Sequence, residues 1–141
     1  MSAQVLVVED SPTLRRLLMH QVTASGYEAL AACDGQEAVN AIAENRAIAL
    51  ILMDIMMPVL DGYEATKQIR KMEKEKNLHR VPIVAVTCLD DSVACFEVGM
   101  DDFHRKPINQ AQLKELLAKW VPATEADPME LSISGPQPRL V

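Results

Sequence analysis

Polar side chains with the chemistry of metal and phosphate binding stand at the ends of four short segments, three of which are apolar. Glu9 and Asp10 follow VLVV, and Asp54 follows IALILM. Thr87 ends PIVAVT, and Lys106 ends the short segment FHRK. If these runs are neighbouring strands of one parallel sheet, their carboxyl ends meet at one edge, which is where open α/β sheets bind ligands. The spacing therefore predicts one crevice that contains three carboxylates, a hydroxyl and an ammonium group.

This set of groups is suited to a phosphoryl group and a hard metal ion. Three carboxylates that lie close together repel one another, so they remain ionised only when a cation joins them. Oxygen ligands without His or Cys favour Mg²⁺ when room is left for water. Lys106 supplies a second positive charge and Thr87 a hydroxyl donor. Asp54 ends the central run and is the expected nucleophile, because carboxylates can form aspartyl-phosphates.

The alternation of apolar runs with helical patterns predicts the elements that hold these residues. Helices are expected after each of the first four strands and after Pro107, and Ser11 and Asn109 are candidate N-caps of the first and last helix. Five strands that alternate with five helices imply a parallel sheet with right-handed crossovers and helices on both faces. The predicted strands span residues 4–8, 27–33, 48–54, 82–87 and 103–106.

Composition narrows the classes of protein. The chain has 141 residues, 49% of them hydrophobic, which suits one domain with a full core. It has no apolar run long enough for a membrane span and no signal peptide pattern at its start. Three cysteines without C-x-x-C spacing argue against a disulfide framework, so the cytoplasm is the expected location. The net charge of −6 argues against nucleic acid as a partner.

The composition changes after Pro122. Residues 122–141 contain half of the chain's eight prolines and show no sustained periodicity. We expect a folded domain over residues 1–122 and a flexible tail over residues 123–141.

Four motifs together resemble a known family. VLVVEDSP, LILMDIMMPVLDGYEA, PIVAVT and GMDDFHRKPI are similar to the motifs of the receiver domain of two-component response regulators, in the same order, over residues 4–121. The resemblance implies a flavodoxin-like, doubly wound, five-stranded parallel sheet with strand order 2-1-3-4-5 and five helices. The motifs MPVLDGYEATKQIR and GMDDF are most similar to those of receivers in hybrid histidine kinases and phosphorelays.

The resemblance also implies a role for each matching residue. Asp54 matches the phosphoacceptor, and Glu9 and Asp10 match the acidic pair that positions Mg²⁺. Met56 matches the residue whose backbone carbonyl binds the same ion. Lys106 matches the lysine that contacts the phosphoryl group.

Two further matches concern the switch. Thr87 matches the switch hydroxyl and Phe103 the aromatic switch, which together change the face formed by the fourth helix, fifth strand and fifth helix. Phe103 stands where Tyr is frequent and Cys88 where Ala is usual. From the residues alone, Phe103 fits a core aromatic as well as a switch.

The function implied is a signalling switch, not an enzyme beyond its own phosphorylation and dephosphorylation. Its partners would be a histidine kinase or a histidine phosphotransfer domain and a downstream protein target, and the chain would be a monomer or weak dimer. One alternative is the receiver segment of a hybrid histidine kinase that passes phosphate to a phosphotransfer domain. Another is an aspartate-nucleophile phosphatase, which lacks support because no Asp-x-Asp pair follows the first strand. A dinucleotide binder would need glycines there.

Other polar residues are expected to have structural roles. Asp61 reads as a turn or cap residue, and Asp101 and Asp102 as exposed loop residues. Cys88 is expected to be a packed small residue. The basic run from Lys67 to Arg80, which includes Arg70, reads as a solvated helix face.

Overall fold

A computed structural model describes residues 3–121, which form one five-stranded sheet with helices on both faces. All neighbouring strands are parallel, in the order β2-β1-β3-β4-β5. The predicted fold is therefore confirmed. The tail predicted over residues 123–141 lies outside the described residues. The strands are β1 (Gln4–Val8), β2 (Glu28–Ala32), β3 (Ile48–Met53), β4 (Ile83–Thr87) and β5 (Asp102–Arg105).

Each helix is preceded by an N-cap residue whose side-chain oxygen accepts a hydrogen bond from the backbone N–H three residues later. This arrangement satisfies one of the free N–H groups of the first turn. The predicted caps Ser11 and Asn109 are confirmed. Asp61 is confirmed as a cap as well, and Asp34 and Asp91 act in the same way. The helices are α1 (Pro12–Ala24), α2 (Gly35–Glu44), α3 (Gly62–Glu75), α4 (Ser92–Glu97) and α5 (Gln110–Trp120).

The core has two halves, one on each face of the sheet. Because side chains alternate along a strand, Ile51 and Met53 of β3 pack on one face, while Leu50 and Leu52 pack on the other. All four are at most 1% exposed. As predicted, β3 is therefore buried on both faces. This rigid strand fixes the position of Asp54, which directly follows its last residue.

Four of the five strands differ slightly from their predicted ranges. β3 ends at Met53, one residue before the predicted end at Asp54, and β4 begins at Ile83, one residue after Pro82. β2 lacks the two end residues, Tyr27 and Cys33, of its predicted range. β5 begins one residue early, because Asp102 is in register with Val84, and it ends before Lys106. Lys106 still donates a backbone hydrogen bond to Thr87 O at 2.9 Å, so the ladder continues to the site lysine.

Arg70 was predicted to lie on a solvated helix face, and this prediction is wrong. Its side chain is 13% exposed and forms ion pairs with Glu73 at 2.9 Å and Asp101 at 2.8 Å. It also donates to the carbonyls of Val81 at 2.7 Å and Gly99 at 2.9 Å. Arg70 thus joins α3 to the start of β4 and to the turn between α4 and β5.

Asp101 and Asp102 are not exposed loop residues, contrary to the prediction. Asp101 Oδ2 accepts from the backbone N–H of Ile83 at 2.9 Å, in addition to Arg70. Asp102 lies in β5, and its Oδ2 accepts from Trp120 Nε1 at 2.9 Å. Asp101 therefore connects the start of β4 to α3, and Asp102 connects β5 to the end of α5.

Candidate functional site

The carboxylates of Glu9, Asp10 and Asp54 meet at the carboxyl ends of β1 and β3. One oxygen from each lies within 4.8 Å of the others. Glu9 and Asp54 are buried, whereas Asp10 is exposed. The predicted convergence of these acidic residues is therefore present in the structure. The cluster has a buried floor and one side open to solvent.

Asp54 is held by the continuation of the central strand. Its backbone N–H donates to Val8 O at 3.0 Å, so the pairing of β1 with β3 extends one residue beyond Met53. Its Oδ1 accepts from the backbone N–H of Ile55 at 2.8 Å. These two contacts fix the carboxylate at the mouth of the crevice, with Oδ2 on the side of Lys106.

Both the backbone and the side chain of Glu9 are held by hydrogen bonds to backbone groups. Its own N–H donates to Ala32 O at 3.1 Å, and its Oε2 accepts from the backbone N–H of Ser11 at 3.1 Å. Arg15 Nη1 donates to the Glu9 carbonyl at 2.8 Å. Burial raises the pKa of Glu9, and the charge of Asp54 raises it further, against the lowering effect of the hydrogen bonds from Lys106 and Ser11.

Lys106 is the cation that faces the two buried carboxylates. Its Nζ donates a hydrogen bond to Glu9 Oε1 and lies 3.3 Å from Asp54 Oδ2. Burial by itself would lower the pKa of Lys106. The hydrogen bond to Glu9 and the negative charges of Asp54 and Glu9 outweigh that effect and raise the pKa. Lys106 is therefore a permanent positive charge at neutral pH.

Thr87 ends β4 and is 1% exposed. Its Oγ1 accepts from the backbone N–H of Leu89 at 3.3 Å, which ties the hydroxyl to the loop that leads into α4. Phe103 is half-buried in β5, in register with Ala85, and packs against the core half that includes Met53. The two residues assigned to the switch thus lie on neighbouring strands.

Met56 lies beside the acidic cluster and is 64% exposed. With Asp10, Pro58, Tyr63 and Leu89 it lines an open groove of about 580 Å³ next to the cluster. An exposed side chain at this position agrees with a role for the backbone carbonyl alone. That role remains a prediction.

Gly62 is a site residue that the sequence did not reveal. Its N–H donates to Ile55 O at 2.8 Å. A Cβ added at Gly62 would lie 2.3 Å from the carbonyl oxygen of Asp54, far inside van der Waals contact. Glycine is therefore required for α3 to begin directly against the backbone of Asp54. An Asp-Gly pair that follows a buried strand by a few residues is the available sequence signal.

Cys88 was expected to be a packed small residue, and this expectation is wrong. Its side chain is exposed, because β4 ends at Thr87 and the chain then leaves the sheet. It lies on the side of the site that Glu9 and Lys106 share with α1.

The donor set fits a hard divalent cation. The three carboxylates offer oxygen ligands within reach of one ion, and the exposed position of Asp10 leaves room for water. Lys106 already neutralises part of the charge of the buried pair, and the exposed carboxylate of Asp10 adds a further negative charge. The arrangement can bind a cation and place a phosphoryl group between that cation and Lys106.

Comparisons with known proteins point to one family. The family model described as the response regulator receiver domain matches residues 5–118. Sensor protein GacS of Pseudomonas syringae pv. syringae is 38% identical over 120 residues, which cover 83% of this chain and 13% of GacS. The chain therefore spans only a small part of this curated relative.

Solved structures give the same answer. The receiver domain of a sensor histidine kinase from Pseudomonas aeruginosa PAO1, with a magnesium ion coordinated in its active site cleft, superposes with a TM-score of 0.76 and 36% identity. The match covers 85% of this chain and 98% of that one. The receiver domain of Ssk1 from Saccharomyces cerevisiae, in complex with the histidine phosphotransfer protein Ypd1, superposes with a TM-score of 0.79 and 30% sequence identity. That match covers 95% of this chain and 94% of the Ssk1 chain.

Proposed function

The chain belongs to the response regulator receiver domain family, and we propose that its Asp54 accepts a phosphoryl group from a phosphohistidine with the help of Mg²⁺. Receivers are signalling modules and not classical enzymes. The observation that carries the proposal is the position of Asp54 between the acidic residues and Lys106, whose Nζ lies 3.3 Å from Asp54 Oδ2.

Glu9, Asp10 and Asp54 would hold the metal ion, together with the backbone carbonyl of Met56. Their oxygen donors and the solvent-open side at Asp10 support this assignment, as does the magnesium ion in the related P. aeruginosa receiver. When bound, Mg²⁺ supplies positive charge that offsets the negative charge on the phosphoryl oxygens.

The transfer step is a displacement at phosphorus. A carboxylate oxygen of Asp54 forms the new O–P bond as the N–P bond to the donor histidine breaks. The other ring nitrogen of that histidine has taken a proton from water beforehand, so the histidine leaves as a neutral imidazole. Lys106 moves from its bond with Glu9 to a phosphoryl oxygen, so the ammonium follows the new charge. The proximity of Lys106 Nζ to Asp54 Oδ2 makes this a short movement.

Thr87 would connect the phosphoryl group to the surface. Its hydroxyl is close to the loop before α4, through the hydrogen bond from Leu89 N. When the hydroxyl turns to a phosphoryl oxygen, Leu89 N loses that acceptor and the start of α4 is free to shift. The half-buried ring of Phe103 follows into the space that opens, which changes the face formed by α4, β5 and α5.

The same face carries the apolar surface that a downstream protein would recognise. Val93 and Phe96 of α4 are 66% and 50% exposed. Exposed apolar side chains on an element that the switch moves are suited to a contact that depends on phosphorylation. We propose a protein target there, and a histidine kinase or phosphotransfer domain as the phosphate donor.

A second candidate is a receiver segment within a hybrid histidine kinase, which passes the phosphoryl group to a phosphotransfer domain. The relatives favour it, because hybrid signal transduction histidine kinase A of Dictyostelium discoideum is 39% identical and this chain spans 6% of its length. The chemistry at Asp54 is the same in both. They differ in whether the phosphoryl group moves on to a second histidine.

The test is incubation with acetyl phosphate and MgCl₂, followed by intact mass spectrometry. The parent chain should gain one phosphoryl group, whereas Asp54→Asn and a sample with excess EDTA should gain none. Asp61→Asn is the matched control, because Asn also caps a helix and Asp61 caps α3. Equal phosphorylation of the parent and Asp54→Asn would contradict the proposal.

The location and domain limits remain predictions. No helix among residues 3–121 is both long and apolar enough to cross a membrane. We propose a cytoplasmic protein whose receiver domain ends near residue 122, with the family match over residues 5–118 in support.

A further inference from the structure

The acidic pair Glu9-Asp10 forms the whole connection between β1 and the cap of α1. β1 ends at Val8, and Ser11 is the N-cap of α1. The backbone of Glu9 is still paired with the sheet, because its N–H donates to Ala32 O at 3.1 Å. Asp10 is the first residue beyond that pairing, so the course of the backbone at this point decides where its carboxylate lies.

The carboxylate of Asp10 lacks the contacts that hold the other two acidic side chains of the cluster. Glu9 Oε2 accepts from the backbone N–H of Ser11 at 3.1 Å. Asp54 Oδ1 accepts from the backbone N–H of Ile55 at 2.8 Å. Asp10 is exposed, and its carboxylate accepts no hydrogen bond from the described part of the chain. The position of this carboxylate therefore depends on the backbone that carries it.

Arg15 holds that backbone from the first turn of α1. Its Nη1 donates to Glu9 O at 2.8 Å and lies 3.4 Å from Asp10 O. The side chain is half-buried, and a planar guanidinium directs its N–H groups along fixed lines. One side chain thus fixes the carbonyls of two consecutive metal-site residues relative to α1.

The charge of Arg15 does not explain why an arginine lies at this position. Arg15 is the fourth residue of α1, and a positive charge near a helix N-terminus opposes the helix dipole. The same charge lies beside a cluster suited to a divalent cation, which it repels. In the described part of the chain its side chain donates to backbone carbonyls and not to carboxylates. These hydrogen bonds are therefore the contacts that favour Arg15 here.

We propose that Arg15 is a positioning residue of the metal site, which holds the Asp10 carboxylate toward the ion through the carbonyls of Glu9 and Asp10. The inference rests on the proposed function, because it takes Mg²⁺ as the ion bound by the acidic cluster. It makes a prediction of distinctive sign. Loss of a nearby positive charge by itself should strengthen Mg²⁺ binding, whereas loss of the positioning contacts should weaken it.

Arg15→Met tests this prediction, with Arg16→Met as the matched control. Arg16 is exposed on the same helix, so each variant removes one positive charge from α1 and inserts the same good helix former. The ¹⁵N-labelled full chain is titrated with MgCl₂ at constant ionic strength, and the amide shifts of Asp10 are followed by NMR. We expect Arg15→Met to bind Mg²⁺ about tenfold more weakly than the parent, as for other groups that orient metal ligands. Arg16→Met should bind Mg²⁺ as tightly as the parent or slightly more tightly.

The outcomes separate this inference from the proposed function. If Arg15→Met is folded by circular dichroism and binds Mg²⁺ as tightly as Arg16→Met or more tightly, the positioning role is overturned and the proposed function is not. If the parent shows no saturable Mg²⁺ binding, both are overturned.

A measurement on the parent chain decides the matter even if Arg15→Met does not fold. In the same titration, the side-chain Nε–H signal of Arg15 should shift with the same midpoint as the Asp10 amide, because the carbonyls that the guanidinium contacts belong to metal-binding residues. The corresponding signal of Arg16 should stay unchanged. An Arg15 signal that does not respond to Mg²⁺ would overturn the proposal.

Discussion

The ammonium of Lys106 bridges Glu9 and Asp54, with Nζ hydrogen-bonded to Glu9 Oε1 and 3.3 Å from Asp54 Oδ2. One cation thus faces both buried carboxylates of the acidic cluster and neutralises part of their charge. Because Lys106 is a counterion and not a metal ligand, its removal and the removal of an acidic residue should have opposite effects on metal binding.

Lys106→Ala should therefore bind Mg²⁺ as tightly as the parent or more tightly, since Glu9 and Asp54 lose their competing cation. Isothermal titration calorimetry with MgCl₂ measures this directly. The variant should nevertheless fail to switch, because no ammonium follows the phosphoryl charge. Lys114→Ala, an exposed position on α5, serves as the control and should match the parent in both properties. Loss of Mg²⁺ binding in Lys106→Ala would show that the lysine has a different role.

Gly62→Ala should damage both stability and phosphorylation, because its Cβ would meet the carbonyl of Asp54 at 2.3 Å. Gly26→Ala is the matched control. Gly26 has a φ of +96° and open space around it, at the end of α1 away from the site. Each variant should lower the free energy of unfolding by about 1–3 kcal/mol.

Only Gly62→Ala should also slow phosphorylation by acetyl phosphate, as followed by intact mass. A Gly62→Ala variant that folds and is phosphorylated at the parent rate would show that the backbone of Asp54 tolerates displacement.

Arg70→Ala should destabilise the domain by about 3 kcal/mol, because it leaves the buried carboxylate of Glu73 without its cation. Lys67→Ala removes an ion pair with Glu64 on the same helix, but both side chains there are more than half exposed. Exposed pairs contribute at most about 1 kcal/mol, so Lys67→Ala should be nearly neutral. Urea unfolding of the two variants makes the comparison, and equal effects would mean that the Arg70 cluster is not structural.

Asp102 should make stability depend on pH. Burial by itself would raise the pKa of Asp102, but hydrogen bonds from Trp120 and Phe103 and the charges of Lys119 and His104 lower it below its ordinary value. The carboxylate therefore stabilises the folded state above the unfolded pKa of about 3.9, and this contribution disappears as the pH falls through the lower folded pKa.

Asp102→Asn should accordingly be less stable than the parent at pH 7, with a difference that shrinks on acidification below pH ~4. Thermal unfolding across this range measures the effect. Asp90→Asn is the control, because the Asp90 side chain is 80% exposed. A constant difference between parent and Asp102→Asn at all pH values would contradict the assigned contacts.

The sequence was sufficient to predict that Glu9, Asp10, Asp54 and Lys106 converge, because the carboxyl ends of parallel strands lie at one edge of the sheet. Asp54 and Lys106 are far apart in the chain, but parallel strands bring their carboxyl ends to one edge of the sheet. Helix caps such as Ser11 were predictable for a related reason, since the side chain acts on a backbone group only three residues away.

The contacts that were not predicted depend on tertiary packing. Arg70 looks like one cation in a solvated helix face, and only the placement of Asp101 31 residues later makes it an internal anchor. The requirement for glycine at position 62 depends on how closely α3 approaches Asp54, a distance that sequence spacing does not encode. The exposure of Cys88 likewise depends on the direction that the chain takes after β4.

The most direct test of Asp54 as the phosphoacceptor is a crystal structure of the chain grown with Mg²⁺ and beryllofluoride, a mimic of the phosphoryl group. We expect a metal ion bound by Glu9, Asp10 and Asp54, beryllofluoride joined to an Asp54 oxygen, and Lys106 Nζ moved from Glu9 to a fluoride. Beryllofluoride density elsewhere with none at Asp54, or an ion bound without the three carboxylates, would contradict the proposed role of Asp54.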